Sequence, residues 1–179
     1  MDSFYFAPMN VKDELKYGFW MAFVLFIWWV VEYLMGFQTT KLEHLSTSVM
    51  LSNLAVLGLG LYLTLNNTKS KMSASDLSFG GLFISGGVAL IGSSILIYGL
   101  SILFYKIVNP DWVATMTEAN LKLLTEAPDA ERLAELKEGY AAQYGAGSMG
   151  LMNFSRMVMF GLFILSIEAF VVLKSGKTA

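Results

Sequence analysis

The chain has 179 residues, of which 55% are hydrophobic and 15% are charged, whereas soluble domains usually carry about a quarter charged residues. A mean hydropathy of +0.57 would leave a water-soluble fold with large exposed apolar patches. The absence of cysteine excludes disulfides, thiolate metal sites and thiol catalysis. A net charge of −2 without a basic cluster excludes nucleic acid as a partner. We therefore expect a single domain, 1–179, in a lipid bilayer.

Two apolar runs in the first part of the chain predict membrane-spanning helices. Residues 18–36 approach the ~20 residues that a helix needs to cross about 30 Å of hydrocarbon. The charged flank before this run, and the lack of a small-residue cleavage site after it, favour a permanent anchor over a signal peptide. Residues 45–65 are rich in leucine and carry no ionisable side chain, so they form the second predicted span.

The third predicted span, residues 79–105, contains a pattern of small side chains. Its length of about 27 residues corresponds to roughly 40 Å of helix, so it must tilt, bend or protrude from the hydrocarbon. Small residues at every fourth position let membrane helices approach closely. We expect the resulting stripe to pack against another helix, although glycine is also common in membrane spans generally. The stripe consists of Gly81, Ser85, Ala89 and Ser93.

A polar section, residues 106–148, separates the third span from the fourth predicted span, residues 149–173. Asp111 is placed to cap one short amphipathic helix, and Pro128 and Asp129 mark the start of a second. The predicted fold class is an all-α integral membrane protein with four transmembrane helices. It carries a helical extramembrane section between spans three and four.

The distribution of lysine and arginine predicts that both termini are cytoplasmic and that the 106–148 section is periplasmic. The segments assigned to the cytoplasm carry Lys12, Lys16, Lys69, Lys71, Lys174 and Lys177. The longer outer segments carry Lys41, Lys106, Lys122, Arg132 and Lys137, diluted by Asp111, Glu118, Glu126, Asp129, Glu131, Glu135 and Glu138.

Three ionisable residues fall inside the predicted spans: Glu32, Arg156 and Glu168. Each costs about 2.5 to 3.5 kcal/mol at a helix centre, so each requires a partner, a neutral form or access to water. Their depths place Glu32 level with Arg156, and Glu168 within reach of Lys16. We therefore expect these two ion pairs to join spans one and four as antiparallel neighbours. The alternative is that the charged groups line an ion or substrate path.

Other polar residues give weaker functional signals. Asn53 lies near the middle of the second span, where an amide usually makes an interhelical hydrogen bond; substrate binding is the alternative. His44 is the only histidine, so the sequence predicts no metal or cofactor. The chain contains no HExxH, GxSxG or Walker motif, and we expect it not to be an enzyme.

The order of several short motifs resembles a known bacterial family. These motifs are Lys16-Tyr17-Gly18 before the first span, Ser78-Phe79-Gly80 before the third, and Asn109-Pro110-Asp111 after it. Together with the acidic helical section and the final span, they resemble the domain-of-unknown-function family 4199 over nearly the whole chain. The resemblance implies a four-span inner-membrane protein of Gram-negative bacteria, and it implies no activity, substrate or functional residues.

Two functional classes remain open from the sequence. The first is a non-enzymatic accessory or scaffold component that binds another membrane protein or forms a homo-oligomer. It is favoured by the small-residue stripe, the amphipathic outer section and the lack of a reaction centre. The second is a small transporter or channel. Such a protein would use Glu32, Asn53, Arg156 and Glu168.

Overall fold

A computed structural model describes residues 11–73, 76–124 and 127–176, and all regular structure in these ranges is helical. A 3₁₀ turn, Leu42–His44, precedes the second helix, and a π-helical turn, Phe104–Val108, extends the third. Lys177 and Glu126, which entered the charge distribution above, lie outside the described residues. The α-helices are α1 (Val11–Leu34), α2 (Leu45–Ser70), α3 (Phe79–Leu103), α4 (Trp112–Leu121), α5 (Ala130–Tyr144) and α6 (Ala146–Gly176).

Four of these helices, α1, α2, α3 and α6, are long and apolar enough to cross a membrane. The predicted fold class, all-α with four such helices and a helical section between the third and the fourth, is confirmed. The helices α1, α2 and α6 are longer than the predicted spans, whereas α3 ends two residues before its predicted span and the π-helical turn continues it to Val108. The first begins at Val11 rather than 18, and the last runs from Ala146 to Gly176 rather than from 149 to 173. Hydropathy marks only the hydrocarbon part of a helix, and charged residues continue the helix beyond it.

The four long helices form a bundle in which α1 and α6 do not pack against each other. Instead α1 packs against α2 and α3, and α6 packs against the same two helices. The prediction that spans one and four are neighbours is therefore wrong. Depth in the membrane gives the height of a residue along a helix, and it does not say which face of the bundle the helix occupies.

Small residues explain how α3 contacts both α1 and α6. A Cβ added to Gly18 of α1 would lie 2.5 Å from the backbone oxygen of Ala89, so only glycine permits this approach. On the other side of α3, Leu165 of α6 fills the space beside Gly86, and Leu90 of α3 fills the space beside Gly161 of α6. These reciprocal contacts make α3 the central helix of the bundle.

The interior and the surface of the bundle are both apolar. Leu25, Leu61, Leu90 and Leu165, one from each long helix, are fully or almost fully buried. Large apolar side chains also cover the outside of the long helices; examples are Phe19, Trp20, Phe23, Met50, Leu59, Ile95, Phe160, Phe163 and Phe170. In water such a surface would drive aggregation. Acyl chains are its suitable solvent, which identifies the lipid bilayer as the protein's surroundings.

Three short motifs define helix ends. Gly36 adopts a left-handed φ of 82° just after α1 ends, as is common at helix C-termini. The Ser78 hydroxyl accepts a hydrogen bond from the Gly81 N–H and caps α3, and the Asp129 carboxylate caps α5 by accepting one from the Arg132 N–H. Asp111 stands before α4, but its side chain makes no capping bond, so that prediction is wrong.

The helices α4 and α5 pack together as a helical hairpin at one end of the bundle. Trp112 at the start of α4 is buried between the rings of Tyr105 and Tyr144. The Asn120 amide of α4 also donates to the Tyr144 hydroxyl at 3.3 Å. We call this the hairpin end of the bundle. The opposite end, where α1 begins and α6 finishes, is the terminal end.

Candidate functional site

At the hairpin end, the carboxylate of Glu32 is fully buried, with 0% of the residue exposed. Its Oε1 accepts hydrogen bonds from the Ser48 hydroxyl at 2.6 Å and from the Trp28 indole N–H at 2.9 Å. Its Oε2 accepts one from the Gln38 amide at 3.2 Å. The Gln38 side chain in turn accepts a long 3.5 Å bond from Asn109. These five residues form the hairpin-end cluster.

Local sequence explains how the hairpin-end cluster is assembled. Trp28 precedes Glu32 by one helical turn, so both side chains share one face of α1. The turn after Gly36 reverses the chain and returns Gln38 to the end of α1, with the backbone N–H groups of Thr40 and Lys41 bonded to the Gly36 carbonyl. Ser48 lies in the first turn of α2. Sequence reasoning identified Glu32 but missed Gln38 and Asn109 as its surroundings.

The predicted Glu32–Arg156 ion pair is wrong. No described cation lies within 4 Å of Glu32, and Arg156 is exposed on α6. Because α1 and α6 are not neighbours, the two side chains do not meet. Neutral donors satisfy the carboxylate instead, which is a common way to bury a charged or polar group.

The predicted Lys16–Glu168 pair is also wrong. Lys16 is exposed on α1, while Glu168 faces α2, where one of its oxygens lies 3.8 Å from the position that a Cβ on Gly58 would take. Oε2 of Glu168 is buried and has no hydrogen-bond partner among the described residues. Glu168 therefore lies between α2 and α6, away from the hairpin-end cluster.

Asn53 does not make the predicted interhelical bond. Its amide donates to the Val49 carbonyl of its own helix at 2.7 Å, which satisfies the amide locally. The interhelical amide bond in the described bundle comes instead from Asn153 of α6, which donates to the Ser101 hydroxyl of α3 at 3.2 Å. Asn153 precedes Arg156 by one helical turn, and the sequence offered no signal that distinguished it from Asn53.

At the terminal end, a second buried carboxylate escaped the sequence analysis. Glu14 is 3% exposed, and its Oε1 accepts hydrogen bonds from the Ser85 hydroxyl of α3 at 3.1 Å and from the Thr68 hydroxyl of α2 at 3.4 Å. Its Oε2 is buried and has no hydrogen-bond partner among the described residues. Glu14, Thr68 and Ser85 form the terminal-end cluster.

A helical spacing would have revealed the burial of Glu14. Both carboxylates belong to one buried stripe of α1, and the buried residues of that stripe are Glu14, Gly18, Met21, Ala22, Leu25, Trp29 and Glu32. Steps of three and four residues keep side chains on one face of a helix. Glu14 was assigned to a charged flank because its neighbours Asp13 and Lys16 are polar, although the spacing relates it to Gly18 and Met21.

The two clusters are not connected through the bundle. Eighteen positions of α1 separate Glu14 from Glu32, which is about 27 Å along a helix. The interior between them is mostly apolar and includes Leu25, Leu61 and Leu90. The buried hydroxyls of α3 in this region, on Ser93, Ser94 and Ser101, donate to carbonyls of their own helix. The stripe residues Ser85, Ala89 and Ser93 are buried on the side of α3 that meets α1, and Gly81 lies beside its cap, Ser78. The four polar residues that a transporter would use are Glu32, Asn53, Arg156 and Glu168. They lie at separate positions in the bundle and do not line one common path.

An open groove of about 600 Å³ runs along α4 of the helical hairpin. Its lining residues are Pro110, Asp111, Val113, Ala114, Thr117, Glu118, Leu121 and Lys137. Just beyond Leu121, Leu123 is 80% exposed, outside every helix long enough to cross a membrane. The groove lining combines apolar and charged side chains, and we call this lining together with Leu123 the hairpin surface.

A solvent-exposed ion pair borders the hairpin surface. The Lys122 ammonium lies 2.7 Å from the Glu118 carboxylate, one helical turn away. The hydrogen bond and the charge of Lys122 hold the pKa of Glu118 below its usual range. Glu118 is therefore ionised at neutral pH, so the groove edge carries both a negative and a positive charge.

The four long apolar helices and their apolar outer surface define this chain as a helical-bundle integral membrane protein. A profile of the family described as "Protein of unknown function (DUF4199)" matches residues 16–174. The chain belongs to that family, which confirms the resemblance drawn from its sequence motifs. No curated protein and no solved structure shows significant similarity to the chain.

Proposed function

We propose that this protein is a non-enzymatic accessory or scaffold component of a membrane assembly. The bundle of α1, α2, α3 and α6 anchors it in the bilayer, and the hairpin surface binds a protein partner. The observation that carries this proposal is the open groove along α4, together with the exposed side chain of Leu123 two residues after the groove residue Leu121. Exposed apolar surface outside the lipid-facing helices is typical of interaction sites.

The character of the hairpin surface indicates the chemistry of the partner. Val113, Ala114 and Leu121 supply apolar walls, while Asp111 and Lys137 place opposite charges at the edges. A short apolar segment of another membrane protein, with polar flanks of both signs, is complementary to this surface. The buried ring of Trp112 fixes the hairpin to the bundle, so the surface is presented in a defined orientation.

The separation of the polar residues favours this proposal over a transporter. A transport path needs polar groups that follow one another through the bundle. Here the carboxylate of Glu32 is occupied by hydrogen bonds at one end, Arg156 is exposed on α6, and Glu168 faces α2. Between the two ends, the described core is mostly apolar, and the buried hydroxyls of Ser93, Ser94 and Ser101 donate to carbonyls of their own helix rather than to one another.

We further propose that the protein lies in the bacterial inner membrane with both termini in the cytoplasm and the hairpin in the periplasm. Four antiparallel crossings bring the start of α1 and the end of α6 to the same side. The terminal end carries Lys69, Lys71 and Lys174. Because lysine is more frequent in cytoplasmic segments, these residues support a cytoplasmic terminal end. The acidic residues of α5 dilute the basic ones at the hairpin end.

Site-specific photocrosslinking in native membranes tests the binding function. A photoreactive amino acid is placed at Ala114 or Leu123 on the hairpin surface, and at the exposed positions Glu131 or Glu138 of α5 as matched controls. We expect a discrete protein adduct from the first pair and none from the control pair. Equal adducts from both pairs, or adducts to lipid alone, would show that the hairpin surface does not bind a protein.

A further inference from the structure

The terminal-end cluster carries a buried carboxylate whose hydrogen bonds are incomplete. Glu14 is 3% exposed, and its Oε2 lacks a partner in every described part of the chain. If the group is ionised, a charge is buried with donors on one oxygen only, and this form is costly inside a helical bundle. If it is protonated on Oε1, its O–H can donate to the Ser85 or Thr68 hydroxyl. A positive charge beside Oε2 would stabilise the ionised form.

The oxygen atoms around Glu14 have the spacing of a small-cation site. The hydroxyl oxygens of Thr68 and Ser85 lie 3.4 and 3.1 Å from Glu14 Oε1, and they are 2.5 Å from each other. Oxygens bound at about 2.4 Å to one ion stand about 3.4 Å apart at neighbouring positions of an octahedron. Two of the three separations are close to this value. The third, 2.5 Å, is that of a hydrogen bond between the two hydroxyls, so ion binding requires this bond to break and the two oxygens to move apart by about 1 Å.

The number of charges selects a monovalent ion. The cluster has one carboxylate and otherwise neutral oxygens, which include the Thr64 carbonyl, 3.1 Å from the Thr68 hydroxyl. A single positive charge neutralises this set, whereas a divalent ion would leave an uncompensated charge in the interior. Hard oxygen ligands suit Na⁺, and K⁺ is too large for separations near 3 Å.

We propose that Glu14, Thr68 and Ser85 bind one Na⁺ ion between α1, α2 and α3. The Glu14 carboxylate and the two hydroxyls would hold the ion, which would link the three helices at the terminal end. The neighbouring residue Asp13 is half-exposed and pairs with Lys71 of the segment after α2. Lys71 also interacts electrostatically with Glu14, but its ion pair goes to Asp13. Because Asp13 is partly exposed to water and directly precedes Glu14, the site lies close to the surface of the protein.

Thermal unfolding of the purified full-length protein in detergent tests this proposal, with Na⁺ as the probe. Choline replaces Na⁺ to keep the ionic strength constant. We expect the melting temperature to rise by about 3 to 6 °C when Na⁺ exceeds its Kd tenfold, and K⁺ at the same concentration to produce less than half of this rise. Binding of radioactive Na⁺ to the same sample gives an independent stoichiometry of one ion per chain.

Two conservative variants connect the effect to the cluster. Thr68→Val and Ser85→Ala keep the packing and remove one ligand each, so we expect each to weaken Na⁺ affinity at least tenfold. Ser94→Ala is the matched control. Ser94 is another buried serine of α3, and among the described residues its hydroxyl bonds only to the Leu90 carbonyl. We expect this variant to retain the full response to Na⁺.

Three results would overturn the proposal. One is a melting temperature that does not depend on Na⁺ and a sample that binds no radioactive Na⁺. Another is an equal response to Na⁺ and K⁺, or an undiminished response in both cluster variants. The third is a melting temperature that depends on pH but not on Na⁺, which would assign a bound proton to Glu14. The result of photocrosslinking at the hairpin surface does not depend on Na⁺ binding, so each proposal can be refuted without the other.

Discussion

The hydroxyl of Ser48 donates a 2.6 Å hydrogen bond to Oε1 of Glu32, and this bond joins the start of α2 to the end of α1. The same oxygen accepts from Trp28, so a single buried carboxylate oxygen holds two helices. Hydrogen bonds to charged groups contribute more to stability than neutral ones. At the hairpin end, the connection between the first two spans therefore depends on the Glu32–Ser48 bond and not on an ion pair of Glu32.

Ser48→Ala is predicted to reduce the free energy of unfolding by about 1.5 to 3 kcal/mol, because it removes a donor from a buried carboxylate. Ser46→Ala, at an exposed position in the same turn, is the control, and its effect should stay within about 0.5 kcal/mol. Denaturant titration of the purified protein in detergent measures both changes. Equal effects of the two substitutions would contradict the role of the Glu32–Ser48 bond.

A double-mutant cycle distinguishes the observed arrangement from the ion pair expected from the sequence. Glu32→Gln and Arg156→Gln are predicted to change stability additively, within about 0.5 kcal/mol, because the two side chains share no contact. A coupling above about 1 kcal/mol between them would mean that α1 and α6 are neighbours after all. The same unfolding measurement supplies this test.

Gly18→Ala is predicted to destabilise the bundle by about 1 to 3 kcal/mol through overpacking. The added Cβ would stand 2.5 Å from the Ala89 carbonyl oxygen. Because this oxygen belongs to the backbone of α3, the clash can be relieved only by moving α1 away from α3. Gly87→Ala on α3 is the matched control, since a Cβ there meets nothing within 4 Å. We expect the control to be neutral or to stabilise by about 0.5 to 1 kcal/mol. A tolerated Gly18→Ala would contradict the close α1–α3 contact.

Trp112 gives a prediction about the hairpin. Its ring is buried, and its indole N–H has no hydrogen-bond partner in the described structure. Trp112→Phe loses some apolar contact but removes a buried unsatisfied donor, so its net cost should stay within about 1 kcal/mol. Trp112→Ala should cost about 3 to 5 kcal/mol. A large loss of stability in the phenylalanine variant would contradict this prediction, because it would show that the indole N–H of Trp112 donates a hydrogen bond.

The Glu118–Lys122 pair predicts a measurable titration. Because the pKa of Glu118 in the folded protein is lowered by Lys122, the pair stabilises α4 above the unfolded pKa. This contribution is lost as the pH falls through the folded pKa. Carboxyl ¹³C resonances of Glu118 should titrate at higher pH in Lys122→Ala. In the control Lys137→Ala they should titrate as in the unchanged protein.

The extent of the membrane helices could be predicted because it follows from a physical length. A helix that crosses the hydrocarbon needs a continuous apolar run, and the runs at 18–36 and 149–173 mark the central parts of α1 and α6. The small-residue stripe around Ala89 also follows from spacing alone. The helix ends were less predictable, since Lys12 and Asp13 continue α1 without any apolar signal.

The arrangement of the helices around each other could not be predicted from depth. Outer and inner faces of these helices are both apolar, so hydropathy does not reveal which face meets a neighbour. This is why Glu32 was paired with Arg156, although the donors that satisfy it come from the adjacent helix and from the turn containing Gln38. The burial of Glu14 was accessible from its spacing to Gly18 and Met21, but the polar residues around it concealed the pattern.

Labelling of single cysteines tests directly whether the chain crosses the membrane four times with its hairpin in the periplasm, because the chain contains no natural cysteine. Ala134→Cys places a thiol on exposed α5, and Ser70→Cys places one at the exposed end of α2. In intact spheroplasts, a membrane-impermeant maleimide should label the Ala134 variant, and it should label the Ser70 variant only after the membrane is disrupted. The opposite pattern would reverse the proposed orientation. Equal labelling of both variants in intact spheroplasts would contradict a bundle that crosses the membrane four times.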